Sequence, residues 1–279
     1  MRKSEYGKEI TFLWEGCLSH EQLTSTEVPS TLVLSPEEKI QIQEAFEKAR
    51  IKNPAFFEGQ LWKYEGNKIV MGGVQAMLSE TTYSPHNILR KGQFSVNSLD
   101  ALGSTRIVTH YPNPFSVNAL QRTSDGYFLI GMKGNISDQT GELGVMGAGF
   151  IKREVEGGKN LPPKNIFIET RRECNEETAY ANGTEPVEED IESFSALGFI
   201  FGSNHDTTTC VYVPLRAKRS EISIGNQEHS DLFFLEDNPS KLESFLKEGG
   251  MNAVRSCDHA IGCIELYLKN KDALLTRAY

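Results

Sequence analysis

No apolar run in the chain approaches the roughly 20 residues that a membrane-spanning helix needs, and the opening Met-Arg-Lys-Ser-Glu-Tyr-Gly-Lys-Glu-Ile has no apolar core of the kind a secretory leader carries. The expectation is a soluble, cytoplasmic protein with no membrane partner. Cysteine is sparse: Cys17, Cys174, Cys210, Cys257 and Cys263 form no Cys-x-x-Cys pair and are odd in number. That pattern argues for free thiols in a reducing compartment and against a zinc site. Positive charge is also short, with 29 Lys and Arg against 38 Asp and Glu for a net charge of -9 and no basic stripe. A nucleic-acid duplex is therefore excluded as a partner, and an anionic substrate would need a cation or a local basic cluster. Internal repeats and low-complexity segments are missing as well.

What is present suits a globular α/β or α+β protein. With 279 residues, 38% of them hydrophobic, and 24 glycines, the chain can bury a sizeable core as one large or two small domains. Residues 9–18 are rich in β-formers and read as a strand. Ser35-Pro36-Glu37-Glu38 supplies an N-cap, a proline in the first turn and a Glu at N3, so a helix is expected to run to about Lys52 before Asn53-Pro54. Strands follow at 60–65 and 68–79, joined by a turn at Glu65-Gly66-Asn67, and Tyr83 to Ser104 reads as irregular with a short helix. The two prolines of Thr109-His110-Tyr111-Pro112-Asn113-Pro114 suggest a division between an N-terminal accessory domain, 1–108, and a second domain, 109–279.

The second unit begins with a hairpin, Phe115–Thr123 and Tyr127–Met132 around Ser124-Asp125-Gly126. Leu143–Ile151 reads as a strand interrupted by Gly147-Ala148-Gly149, where glycine suggests a close backbone approach. A Glu-rich helix follows Leu161-Pro162-Pro163 and is expected to stop near Ala181-Asn182-Gly183. Strands at Phe194–Gly202, Thr209–Arg216 and Asp231–Glu236, then helices at 239–248 and 257–269, complete a mixed sheet between helices.

The Glu-rich helix carries the chemistry. At about 100° per residue, Glu173, Glu176 and Glu177 share one arc, while Phe167, Cys174 and Thr178 form a stripe on roughly the opposite side. Three like charges on one arc repel each other unless neutralised, and Mg²⁺, which takes oxygen ligands and shares itself with phosphates, is the natural neutraliser.

A glycine-rich strand end, a loop, and then Arg172-Glu173-Cys174-Asn175-Glu176-Glu177-Thr178-Ala179 resembles the Nudix hydrolase signature, G-x5-E-x7-R-E-U-x-E-E-x-G-U with U aliphatic. Arg172, Glu173, Glu176 and Glu177 match; Cys174 stands at an aliphatic position, Ala179 replaces the glycine and Tyr180 the last aliphatic. Two registers are open for the first half. Gly149 sits at a strand end, which favours it, but places Val155 at the signature Glu between Glu154 and Glu156 and lengthens the loop; Gly158 keeps the spacing but places Lys164 there.

The long N-terminal region, the insertion before the helix, and Leu232-Phe233-Phe234-Leu235-Glu236 followed by Cys257, Ala260, Gly262 and Leu266-Tyr267 look like the Nudix hydrolases that cleave UDP-glucose and UDP-galactose. The resemblance implies an α+β fold: a Nudix αβα sandwich with a mixed sheet, plus a small β-containing N-terminal accessory domain. It also implies Mg²⁺-dependent hydrolysis of a nucleoside diphosphate sugar to UMP and sugar 1-phosphate, with Mn²⁺ as a substitute metal. Glu173, Glu176 and Glu177, the main-chain carbonyl of Ala148, and Glu228 four residues before the late strand would hold metal; Arg172 would orient the carboxylates. His229, Glu154, Glu156, His205 and Asp206 are lesser candidates, and Trp14, Trp62 and Phe57 are candidates to stack on uracil. Two further readings stand beside this one: a catalytically weak module that binds a nucleotide-sugar as sensor or scaffold, and a pyrophosphatase for another nucleotide such as ADP-ribose.

Overall fold

The computed structural model describes residues 2–6, 9–31, 34–52, 58–90, 112–134, 139–156, 159–160, 163, 165–180, 191–203 and 206–277. Its N-terminal part contains β1 (Arg2–Lys3), β2 (Thr11–Leu18), β3 (Leu23–Glu27), α1 (Pro36–Lys52), β4 (Gln60–Val70), β5 (Gly73–Thr82) and α2 (Tyr83–Arg90). Then come β6 (Phe115–Arg122), β7 (Tyr127–Lys133), β8 (Leu143–Val145), β9 (Ala148–Phe150), the two-residue strands β10 (Val155–Glu156) and β11 (Lys159–Asn160), α3 (Ile166–Glu177) and β12 (Thr178–Tyr180). The chain closes with β13 (Ser195–Phe201), β14 (Thr207–Pro214), β15 (Ile222–Ile224), β16 (His229–Glu236), α4 (Pro239–Glu248) and α5 (Asp258–Arg277).

A nine-stranded mixed sheet runs β1-β2-β13-β14-β6-β7-β16, with β8 on β7 and β9 on β6. Its β6–β14 pair is parallel and its other pairs are antiparallel. Side chains alternate across a strand, and the sequence uses both faces. Val117, Ala119, Leu129 and Phe199 share a core with Ile166, Phe167 and Cys174 of α3. Leu120, Phe128, Ile130 and Ile200 share one with Leu242 and Phe245 of α4 and Ala260, Ile264 and Tyr267 of α5. This is the expected α+β sandwich, helix over sheet over helix.

The division near residue 109 falls on 91–111, outside the described residues. The described strands before it belong to two sheets. β2 lies within the large sheet, paired with β13, while β3, β5 and β4 make a separate three-stranded sheet. That small sheet is bonded onto the rest: Tyr64 N–H donates to Asn113 O at 3.0 Å, and Trp62 N–H to Ile151 O at 3.2 Å. Trp62, Tyr64 and Leu78 belong to the same core as Phe115 and α3.

Local signals that carry their own hydrogen-bond chemistry appear where expected. The Ser35 box forms, Ser35 N–H donating to Glu38 Oε2 at 2.7 Å and Glu38 N–H to Ser35 Oγ at 3.2 Å. The β4–β5 turn is a correction: it lies at Met71-Gly72, not Glu65-Gly66-Asn67. Gly72 has φ +86 and supplies the turn, whereas Gly66 marks a register shift within β4.

α3 begins at Asn165, whose Oδ1 accepts the Phe167 N–H at 2.9 Å. It ends at Glu177, earlier than the expected Ala181-Asn182-Gly183, because Thr178–Tyr180 leaves the helix to pair with Ile222–Ile224. An N-cap of this kind is worth about 1 kcal/mol. Asn165→Ala should therefore lower the melting temperature by about 3 °C, and Asn165→Asp should leave it nearly unchanged, as read by thermal unfolding.

Candidate functional site

α3 presents its acids differently from a solvated face. Phe167, Cys174 and Thr178 are fully buried, as the apolar stripe requires, but so are Glu169, Glu173 and Glu177, which follow one another at i+4 along a second buried row. Among Glu173, Glu176 and Glu177, only Glu176 is exposed. The space for Glu173 comes from β9: a Cβ on Gly149 would lie 2.1 Å from Glu173 Oε1. Gly149 thus lies directly against the helix, while Gly158 lies outside the described residues.

Arg172 gathers the carboxylates. Its Nε pairs with Glu169 Oε2 at 3.1 Å, its Nη1 with Glu176 Oε1 at 2.5 Å, and its Nη2 with Glu173 Oε1. Glu169 binds Arg172 from one turn back on the same helix and occupies neither position that the two registers give the signature's first Glu, Val155 or Lys164. Its i,i+3 spacing to Arg172 is visible in the sequence. Of the other candidates around that position, Glu154 is exposed and Lys164 lies outside the described residues.

Glu177 is fully enclosed. Gly147 N–H donates to its Oε2 at 2.7 Å, Ala148 N–H to its Oε1 at 3.1 Å, and His229 Nε2 lies 2.7 Å from Oε2. His229 opens β16, in register with Lys133 of β7. The segment before it is tied to the helix, since Gly225 N–H donates to Glu177 O at 2.9 Å. This brings the half-buried Glu228 into electrostatic reach of Glu177 and Glu176.

The charges respond to these surroundings. Burial raises the Glu173 carboxyl to about 7; Arg172 opposes the rise, while Glu177 and Glu176 add to it. Burial also raises Glu228, helped by Glu177 and opposed by Lys133. For Glu177 burial works upward too, but the hydrogen bond from His229, the charge of Lys133 and the Gly147 N–H together hold the carboxyl below its ordinary value.

Among the described residues, no group of three or more His, Cys, Asp and Glu is arranged to hold a metal ion. In kind the donors suit a hard divalent cation, because they are carboxylate oxygens. Glu177 accepts two hydrogen bonds on Oε2 and one on Oε1, which leaves acceptor capacity on Oε1.

The other expected residues fall elsewhere. Trp62 is buried in the core beneath the Arg153 guanidinium, 5.5 Å from its ring centroid, and so offers no face to a nucleobase. Trp14 packs on Phe199 with centroids 5.7 Å apart. Asp206 is buried, facing His259 Nε2 at 3.2 Å. His205, Phe57 and the Glu156 side chain lie outside the described residues. All five cysteines are free, and each except Cys17 is buried. A cavity of about 370 Å³ beside the start of α5, lined by residues including Thr140, Glu142, Ser203, Arg255 and Asp258, contains none of the α3 carboxylates. No helix among the described residues is long and apolar enough to cross a membrane.

No model of a known protein family matches the sequence, and no curated protein matches it. Among solved structures, the chain is similar to the MutT protein of Methanosarcina mazei Go1, at 16% identity, covering 57% of this chain and 95% of that one, with a TM-score of 0.35. It is also similar to the NUDIX domain of Shewanella oneidensis NrtR, solved with ADP ribose, at 12% identity, 61% and 99% coverage and a TM-score of 0.38. A third is a bifunctional NMN adenylyltransferase/ADP ribose pyrophosphatase from Francisella tularensis, solved with AMP and a manganese ion, at 14% identity, 66% and 52% coverage and a TM-score of 0.36.

Proposed function

We propose that this chain is a Nudix-type hydrolase that cleaves the diphosphate linkage of a nucleoside diphosphate sugar, with UDP-glucose or UDP-galactose giving UMP and sugar 1-phosphate. The observation that carries the reading is the contact between Glu173 and Gly149: a glycine strand end receives the carboxylate that follows Arg172 in the signature, and Arg172 joins that carboxylate to Glu176. Mg²⁺, with Mn²⁺ as substitute, is the cofactor this chemistry calls for. Glu173, Glu176, Glu177 and Glu228, with the main-chain carbonyl of Ala148, are the groups that would hold it. When bound, the cation offsets negative charge on the phosphate oxygens and lowers the pKa of a bound water.

The chain's own residues supply the rest. Arg172 orients Glu173 and Glu176 through its fork. Glu228, with its carboxyl raised above its ordinary value by burial and by Glu177, is suited to accept a proton from an attacking water. The β3-β5-β4 sheet and its flanking segments are proposed to contribute to reading the base and sugar.

The test is turnover of UDP-glucose, UDP-galactose, ADP-ribose and dinucleoside polyphosphates with Mg²⁺. Release of UMP and sugar 1-phosphate is expected, and Glu173→Gln should lower kcat by about a hundredfold. Turnover of ADP-ribose alone would move the substrate to that nucleotide, and an unaffected Glu173→Gln would remove the mechanism. A second reading, a module that binds a nucleotide-sugar without turnover, is favoured by one observation, the closure of Glu177 by His229. Calorimetric binding of UDP-glucose with no hydrolysis in Mg²⁺ or Mn²⁺ would select it.

A further inference from the structure

Glu177 is held from three sides. Its side chain is wholly buried, and three donors converge on it: Gly147 N–H and His229 Nε2 on Oε2, both at 2.7 Å, and Ala148 N–H on Oε1 at 3.1 Å. An ionised carboxylate only accepts, so the hydrogen between the two side chains belongs to His229 Nε2. The imidazole is seated as carefully as the acid. It lies on Gly131 of β7, where a Cβ would come within 2.2 Å of Nδ1. That Nδ1 is buried without a hydrogen-bond partner, as befits a ring that carries its proton on Nε2 alone.

The backbone that Glu177 grips is the segment that matters. Gly147 and Ala148 lead into Gly149, which Glu173 overlies. The same segment is fixed from the sheet side, where Ala119 N–H donates to Gly147 O at 3.0 Å. α3, β9 and β16 therefore meet at one carboxylate.

We infer that His229 is a positioning residue: it holds Glu177 on the Gly147 and Ala148 N–H groups and presets the strand end beneath Glu173.

Two measurements test it. In ¹⁵N-labelled protein, nuclear magnetic resonance should show His229 protonated at Nε2 and bare at Nδ1. His229→Ala should shift the Gly147 and Ala148 amide signals, and His229→Gln, which keeps an N–H donor, should restore them in part. Observation of the Nδ1–H tautomer, or unmoved amides in His229→Ala, overturns the clamp.

Discussion

Gly147→Ala is expected to cost about 4 kcal/mol of stability, against about 1 kcal/mol for Gly141→Ala. Both glycines have φ +80, so each substitution pays the penalty of placing an L side chain in left-handed backbone. At Gly141 nothing lies within 4 Å of the added Cβ, and the penalty stands alone. At Gly147 the Cβ would meet Cys174 Sγ at 2.9 Å, Ala119 Cβ at 3.0 Å and Cys174 Cα at 3.2 Å.

A cysteine sulfur can turn aside, but the Cα of α3 and the β6 side chain cannot move without shifting an element. The turn cannot retreat either, since Gly147 N–H is bound to Glu177 and Gly147 O to Ala119 N–H. Moving it sacrifices a charge-assisted hydrogen bond worth about 2 kcal/mol. Urea unfolding of both variants provides the comparison, and a melting temperature lower by about 10 °C should accompany Gly147→Ala. A gap between the two variants below about 1 kcal/mol would mean that the strand end gives way, and the close packing of β9 under α3 would not be the constraint described here.

The second large effect is on pH. Glu173 titrates at about 7 in the folded chain instead of its ordinary 4.5. Below pH 4.5 the group is protonated in both folded and unfolded chains and imposes no cost. As pH rises, the unfolded chain loses the proton first and the folded chain retains it until about 7, so stability falls through this window and stays lower above it. A displacement of this size corresponds to about 3 kcal/mol. Glu228 and His259, also raised, slope in the same direction. Glu177, held low, acts oppositely, its stabilisation being lost as pH falls through its folded value.

The informative quantity is the difference between the parent and Glu173→Gln, in which the other groups largely cancel. The variant should be close to the parent near pH 4.5 and more stable by about 3 kcal/mol at pH 8. Parallel stability profiles across that range would show that Glu173 is not the strained acid of the cluster.

Much of the architecture was legible along the chain because its signals are local. The Ser35 box, the Ser124-Asp125-Gly126 turn and the alternating strands each complete their hydrogen bonds or expose their pattern within a few residues. The turn of the β4–β5 hairpin was misplaced for the same reason: Gly66 and Gly72 are both locally acceptable, and cross-strand register selects Gly72. The end of α3 was also decided at a distance, by the pairing of Thr178–Tyr180 with Ile222–Ile224.

At the candidate site the division is sharper. By itself the sequence determined which side chains could gather on α3, since helical rotation places Glu173, Glu176 and Glu177 on neighbouring positions, and it marked the glycines that permit a close approach. Only the tertiary structure decided what each acid does. It buries Glu173 on Gly149, leaves Glu176 outside in the fork of Arg172, and closes Glu177 with His229 from a strand 52 residues away. Helical periodicity orders residues around one axis; which of them face solvent, a neighbouring strand or a distant imidazole depends on elements that fold against that axis from elsewhere in the chain.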